Sequence, residues 1–322
     1  MDEIEEIIKL IKSYGRFDES VFTGCEAYLK HHLSRLKEIE EPGKAHADET
    51  TLIHTFNVIK AMHFILESLK QQSYELPYLE QLYKLISKEH IQKYLLQKVG
   101  NYDRYTLLFF ATLFHDIGKL GHFVQTKKSL SELNKYTKHS FLSGFIVNFS
   151  RDGLNAVNEE IKKVEDEYTQ LKTIQEKSKK QKKAFEEARQ LKVQLKLVKR
   201  EIKKHKNLLN DLNFNKKDIE YMMFVTSNHM KCYDSFQMLN HIIQNLNNKK
   251  VMKQISTLKT KILEMISHFN DYYYDLILFF VSDKIGTGGF LHSLPDNVVK
   301  YIEVVNYVYE KHDFDIAGHL FK

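Results

Sequence analysis

At 322 residues the chain has room for one large domain or two modest ones, and a hydrophobic fraction of 43% is enough to bury a sizeable core. Twelve Gly and three Pro are too few for a turn-dense β architecture, two Cys cannot build a disulfide framework or a thiolate zinc site, and no apolar run approaches a membrane span. The net charge of +6 is uneven: residues 156–206 hold fourteen Lys and two Arg against eight Glu and one Asp, a local +7 that leaves −1 for the remainder, so an anionic partner is to be sought there.

The opening MDEIEEIIKLIKSYG is acidic and amphipathic, unlike a secretory leader. With Cys25 and Cys232 read as reduced thiols, it predicts a cytoplasmic protein with no membrane association. Residues 1–40 read as two helices, closed by the turn signal Pro42-Gly43. Thr51–Leu69 reads as a helix with Ile53, Phe56, Val58, Ile59, Met62 and Ile65 as its apolar positions. Glu80–Val99 reads as one helical stretch. Arg104–Phe114 is strongly apolar and leads into His115-Asp116. Lys138–Phe149, Ile219–Met230, Tyr272–Asp283 and Val298–Lys311 complete the predicted helices.

Between them the pattern changes. Val157, Ile161, Val164, Tyr168 and Leu171 alternate by four and three, and so do Ala184, Ala188, Leu191, Leu195, Val198, Ile202, His205, Leu209 and Leu212. That alternation is a coiled-coil seam. The runs flank Lys177–Lys183, KSKKQKK, which reads as a basic tip between two arms of about 24 residues, each about 36 Å long at ~1.5 Å per residue. No Gly or Pro occurs from Leu154 to Ile285, which also favours helix. The expected fold is all-α, a helical bundle with an inserted antiparallel hairpin. Its parts are residues 1–155, the hairpin 156–206, and 207–322. A solvated packing face, nucleic-acid contact and self-association into a homo-oligomer are the three uses considered for the hairpin.

The chemistry-bearing residues stand at helix ends. His115-Asp116 lies in Phe-His-Asp-Ile-Gly-Lys, where imidazole and carboxylate can reach one Mn, Fe, Co, Ni or Zn ion. Gly118 permits close backbone approach, and Lys119 is a natural phosphate partner. His54 opens one apolar helix and Asp283 closes another. His139 and His229 sit within further apolar segments, read as metal or substrate contacts with core histidines as the rival reading. Converging helices that carry such groups can form a metal centre inside a bundle.

The order His54-Thr55, His115 to Lys119, His139 to Ser143, Asn228-His229-Met230 and Asp283 with Gly286 resembles the HD phosphohydrolase superfamily. It is most similar to the HD domain of bacterial CCA-adding tRNA nucleotidyltransferases, over roughly residues 46–289 interrupted by the hairpin. The nucleotidyltransferase signature of those enzymes does not occur here, so nucleotide addition is not implied. The resemblance implies an HD-domain bundle and a metal-dependent phosphohydrolase for nucleotides or RNA ends, including 2′,3′-cyclic phosphates. His54, His115, Asp116 and Asp283 would hold one ion and His139 and His229 a second, with Asp116 and Lys119 catalytic. The alternative is a non-catalytic nucleotide-binding or coiled-coil scaffold protein.

Overall fold

The computed structural model describes residues 49–70, 76–119, 139–147, 151–174, 178–210, 214–245, 251–268, 272–287 and 293–311. The two helices expected in residues 1–40 lie outside the described residues. Every regular element among the described residues is helical, and an isolated bridge between Lys98 and Asp103 closes a turn. No helix among them is long and apolar enough to cross a membrane.

The first described helix, α1, spans Thr51–Lys70 and buries Val58, Ile59, Met62, Ile65, Leu66 and Leu69. Ile53, counted above among its apolar positions, instead faces solvent at 51% exposure, because it lies on the side of the helix opposite Val58 and Met62, while Thr51, His54 and Thr55 of the same turn are buried. The stretch read as one helix over Glu80–Val99 is two, α2 (Pro77–Leu85) and α3 (Lys88–Leu95). Ile86 is extended, and the Ser87 hydroxyl then accepts from the His90 N–H to start α3. α4 spans Arg104–Phe114 as expected, capped by the Asp103 carboxylate on the Thr106 N–H. A 3-10 turn, Ile117–Lys119, follows, and α5 is His139–Val147.

The hairpin consists of α6 (Arg151–Thr173) and α7 (Lys179–Asn210), which pack along each other. Where side chains are described its seam is the predicted one: Val157, Ile161, Val164, Ala188, Leu191 and Leu195 are buried, while Val198, Ile202, His205, Leu209 and Leu212 lie outside the described side chains. Tyr168 stacks on Phe185 at 4.9 Å, and Glu165 pairs with Lys192 and Lys196, so the arms run antiparallel. The basic tip is shorter than expected, since α7 begins inside KSKKQKK. Ser178 Oγ accepts from the Gln181 N–H while Gln181 Oε1 accepts from the Ser178 N–H. This reciprocal capping box starts the helix within the lysine run.

A second capping box, Asn215 with Asp218, opens α8 (Lys216–Asn228). Asp218 also accepts the Asn101 and Tyr102 N–H groups, which ties the turn before α4 to the start of α8. Four helices follow: α9 (Lys231–Gln244), α10 (Val251–His268), α11 (Tyr273–Gly286) and α12 (Asp296–Lys311). α11 is buried almost all round and lies against α1, while α4 packs between α1 and α8.

A buried polar cluster fastens four of these helices. On α11, Asp275 accepts from Tyr221 of α8 at 2.6 Å, from Tyr94 of α3 at 2.5 Å and from Arg104 of α4 at 3.1 Å. Burial pushes its carboxyl up to about 6, although the tyrosine hydrogen bonds and the Arg104 charge pull it down. Between pH 4 and 6 the folded chain then holds a proton that the unfolded chain does not, so this group's contribution to stability falls as pH rises. The stability of the native chain minus that of Asp275→Asn should fall by about 2 kcal/mol from pH 4 to pH 7. Urea unfolding of both proteins across that range measures it, and subtraction cancels the groups they share. A flat difference would mean that Arg104 keeps Asp275 ionised throughout.

Candidate metal centre

Three helix ends meet in the core. His54 lies in the first turn of α1, His115 and Asp116 follow the last residue of α4, and Asp283 lies in the last turn of α11. All four are buried. His54 Nε2 is 3.1 Å from Asp283 Oδ1 and 3.7 Å from Asp116 Oδ2. His115 Nε2 is 3.1 Å from Asp116 Oδ2 and 3.8 Å from Asp283 Oδ1. The tightest group is His54, His115 and Asp116, whose ligand atoms all lie within 4.8 Å of one another. Asp283 stands beside it through the two imidazoles.

These separations can be tested against a common ion. Ligand atoms about 2.1 Å from one metal stand about 3.0 Å apart along an octahedral edge and about 3.4 Å along a tetrahedral edge. The four nitrogen–oxygen separations, 3.1 to 3.8 Å, bracket the tetrahedral value and begin at the octahedral one. Among the described residues His115 Nε2 is buried and makes no hydrogen bond, which costs free energy unless some other group engages it. Buried imidazole and carboxylate donors suit a first-row divalent ion. The residues therefore fit a metal.

The orientation of two rings has one origin. His115 and His229 are each the residue that caps the C-terminus of its helix. In each case Nδ1 lies 2.7 Å from the carbonyl three residues earlier, Thr112 for His115 and Thr226 for His229. A carbonyl can only accept, so Nδ1 carries a proton and donates, and in a neutral ring Nε2 is then left with its lone pair. The same carbonyls lie in the last turn of their helices, where the regular ladder runs out of donors, and that of Thr112 also accepts the His115 N–H at 3.4 Å. Thr112-Leu-Phe-His115 and Thr226-Ser-Asn-His229 repeat one pattern, a signal present in the sequence and not used above. The two rings meet edge to face at 5.3 Å, and Phe279 of α11 packs on both. Burial pushes the His229 imidazole down to about 4, helped by the neighbouring His115, so the ring stays neutral.

The carboxylates are held as well. Lys119, from the 3-10 turn, donates to Asp116 Oδ2 at 2.8 Å. Burial alone would raise the Asp283 carboxyl, but the hydrogen bond from His54, with the charges of His54, His115 and Lys284, holds it well below the usual carboxylate range. Tyr233 of α9 donates to Asp283 Oδ2. Lys284 lies over the Tyr233 ring at 4.2 Å. On its other side, His54 Nδ1 faces Glu49 Oε2 at 3.7 Å, and Asn57 donates to Glu49 Oε1 at 2.9 Å.

Of the residues singled out from the sequence, His54, His115, Asp116, Lys119, His229 and Asp283 are brought together. His139 opens α5, and its side chain lies outside the described residues. Its motif partner Ser143 does reach the site's edge, where its hydroxyl accepts from the Gly118 N–H at 2.8 Å and fastens α5 to the 3-10 turn. Sequence reasoning missed Glu49, Tyr233 and Lys284. Tyr233 stands four residues after His229, but a bend at Met230 separates them, so helical spacing does not reveal a shared face.

No family model, curated protein or solved structure matches the chain.

Proposed function

We propose that the chain is a metal-dependent phosphohydrolase acting on nucleotides or RNA ends. The observation that supports this most is the meeting of His54, His115, Asp116 and Asp283 from three helix ends, with a lysine on the aspartate. The order of the motifs, which resembles that of HD phosphohydrolases, supports the substrate class, including 2′,3′-cyclic phosphates.

In this reading His54, His115 and Asp116 hold the ion and Asp283 completes the set. A divalent ion bound there supplies Lewis acidity and an activated water near neutral pH. Asp116 orients the attacking water. The Lys119 ammonium, 2.8 Å from Asp116, offers charge to the phosphoryl oxygens as negative charge develops on them. His229 presents the lone pair of a neutral Nε2 to a second ion or to a substrate hydroxyl, and His139 is its proposed companion. Phe279, buried against both His115 and His229, keeps bulk water from that side.

The test uses the whole chain, stripped with chelator and resupplied with Mn, Co or Ni. Hydrolysis of bis-p-nitrophenyl phosphate and of a nucleoside 2′,3′-cyclic phosphate should be lost on stripping and restored by at least one ion. A purified chain that retains no metal, and that no ion stimulates, would overturn the reading and leave the bundle a scaffold.

A further inference from the structure

The charge of the hairpin is not shared by its arms. α6 carries four basic and six acidic residues, a net of −2, whereas α7 carries twelve basic and three acidic, a net of +9. Within α7 the exposed side chains Lys182, Arg189, Lys196 and Lys203 recur every seven residues. Seven residues are almost two helical turns, so the four form one row, with about 10.5 Å between neighbours and about 32 Å from end to end. The row turns away from the buried seam of Ala188, Leu191 and Leu195. Arg189 lies 3.4 Å from Glu186 and Lys196 lies 3.3 Å from Glu165, but such pairs at an exposed surface are weak and easily exchanged.

We propose that this row is a docking rail for the sugar-phosphate backbone of a nucleic acid. The partner follows from charge and spacing. A stacked strand carries a phosphate about every 3.4 Å, so cations about 10.5 Å apart meet roughly every third phosphate. A membrane surface fits less well, because an interfacial helix needs an apolar face to insert and α7 spends its own on the hairpin seam. Val193 is the large hydrophobic side chain exposed on this arm among the described residues. An acidic protein fits less well for want of aromatic anchors along the row. α7 packs against α5, which packs on the 3-10 turn holding Lys119, so the rail's helix is one element removed from the candidate centre. The proposal concerns binding and stands whether or not the centre hydrolyses phosphoesters.

The test compares the native chain with Lys182→Gln/Arg189→Gln/Lys196→Gln/Lys203→Gln. A control, Lys84→Gln/Lys93→Gln/Lys98→Gln/Lys217→Gln, removes the same charge from exposed positions elsewhere. Binding of a labelled 20-nucleotide single-stranded RNA and of a 20-base-pair DNA duplex is followed against salt, with chelator present so that no hydrolysis shortens the probe. The row variant should bind at least one probe on the order of tenfold or more weakly at low salt. Its log–log salt slope should be shallower by about 3 on the single strand or about 4 on the duplex, the values for four phosphates. The control should keep the native slope, and the probe more affected identifies the form bound. Equal losses in row and control variants, unchanged binding of both probes, or a loss seen only on anionic lipid vesicles would overturn the proposal.

Discussion

Asp116→Ala is expected to abolish metal-stimulated phosphoester hydrolysis, by on the order of 10³-fold or more, while the helical circular dichroism stays native. Asp116 Oδ2 faces three groups at once: His115 Nε2 at 3.1 Å, His54 Nε2 at 3.7 Å and the Lys119 ammonium at 2.8 Å. Removing the carboxylate takes one ligand from the tightest group and leaves Lys119 without this partner, a further cost of about 1–3 kcal/mol in stability. Bound metal should fall from about one ion per chain to background. Asp116→Asn keeps the volume and loses the charge, so it should fail in hydrolysis with a smaller loss of stability. Native activity and native metal content in the alanine variant would remove Asp116 from the site.

Gly286→Val should be the most damaging substitution outside the ligands themselves. A Cβ at Gly286 would meet Val58 N at 2.7 Å, Val58 Cγ2 at 2.8 Å and the Asn57 carbonyl carbon at 2.9 Å. Two of those atoms are backbone, so α11 must move off α1. The requirement is for space rather than for an unusual backbone conformation. Alanine in place of glycine in a helix gains up to about 1 kcal/mol, and overpacking costs about 1–3. Gly286→Ala should therefore be mildly destabilising, and Gly286→Val should lose about 3 kcal/mol or more in urea unfolding. The functional loss follows from position. Gly286 lies three residues beyond Asp283, and Val58 four beyond His54, so separating these backbones opens the 3.1 Å contact between His54 and Asp283. Metal affinity should drop at least tenfold in folded Gly286→Val, as read by titration with Mn or Co. Native stability with native affinity would show that the two helices adjust freely, and that this contact does not set the centre.

Most of the fold was legible because the helices are long and punctuated. Arg104–Phe114 is legible to the residue, since an apolar run begins at the Asp103 cap and stops at His115-Asp116. The hairpin seam was legible from its four-three spacing. Two capping signals were present but overridden. Ser87 breaks the stretch over Glu80–Val99, and Ser178-Lys-Lys-Gln181 begins α7 inside what reads as a basic tip. α9 had no such mark. His229 and Met230 turn the chain while both keep right-handed helical backbone angles, so no Gly, Pro or Asn is needed at the bend. The candidate centre was legible for the residues that end or begin apolar helices, His54, His115, Asp116 and Asp283. Glu49 and Tyr233 were not, because they reach the centre from outside those helices, where no apolar helix end singles them out.

The histidines at the ends of α4 and α8 bind element length to ring direction. In most bundles a helix may gain or lose a residue at its end, and the adjoining loop absorbs the change. Here the ring is anchored to the carbonyl three residues back in its own helix. One residue inserted within α4 would swing His115 by about 100° about the helix axis and carry it about 1.5 Å along it. Asp116 would be carried with it, away from His54 and Asp283. The segments that look most interchangeable by composition, two runs of ordinary apolar helix, are therefore the ones whose residue count is fixed.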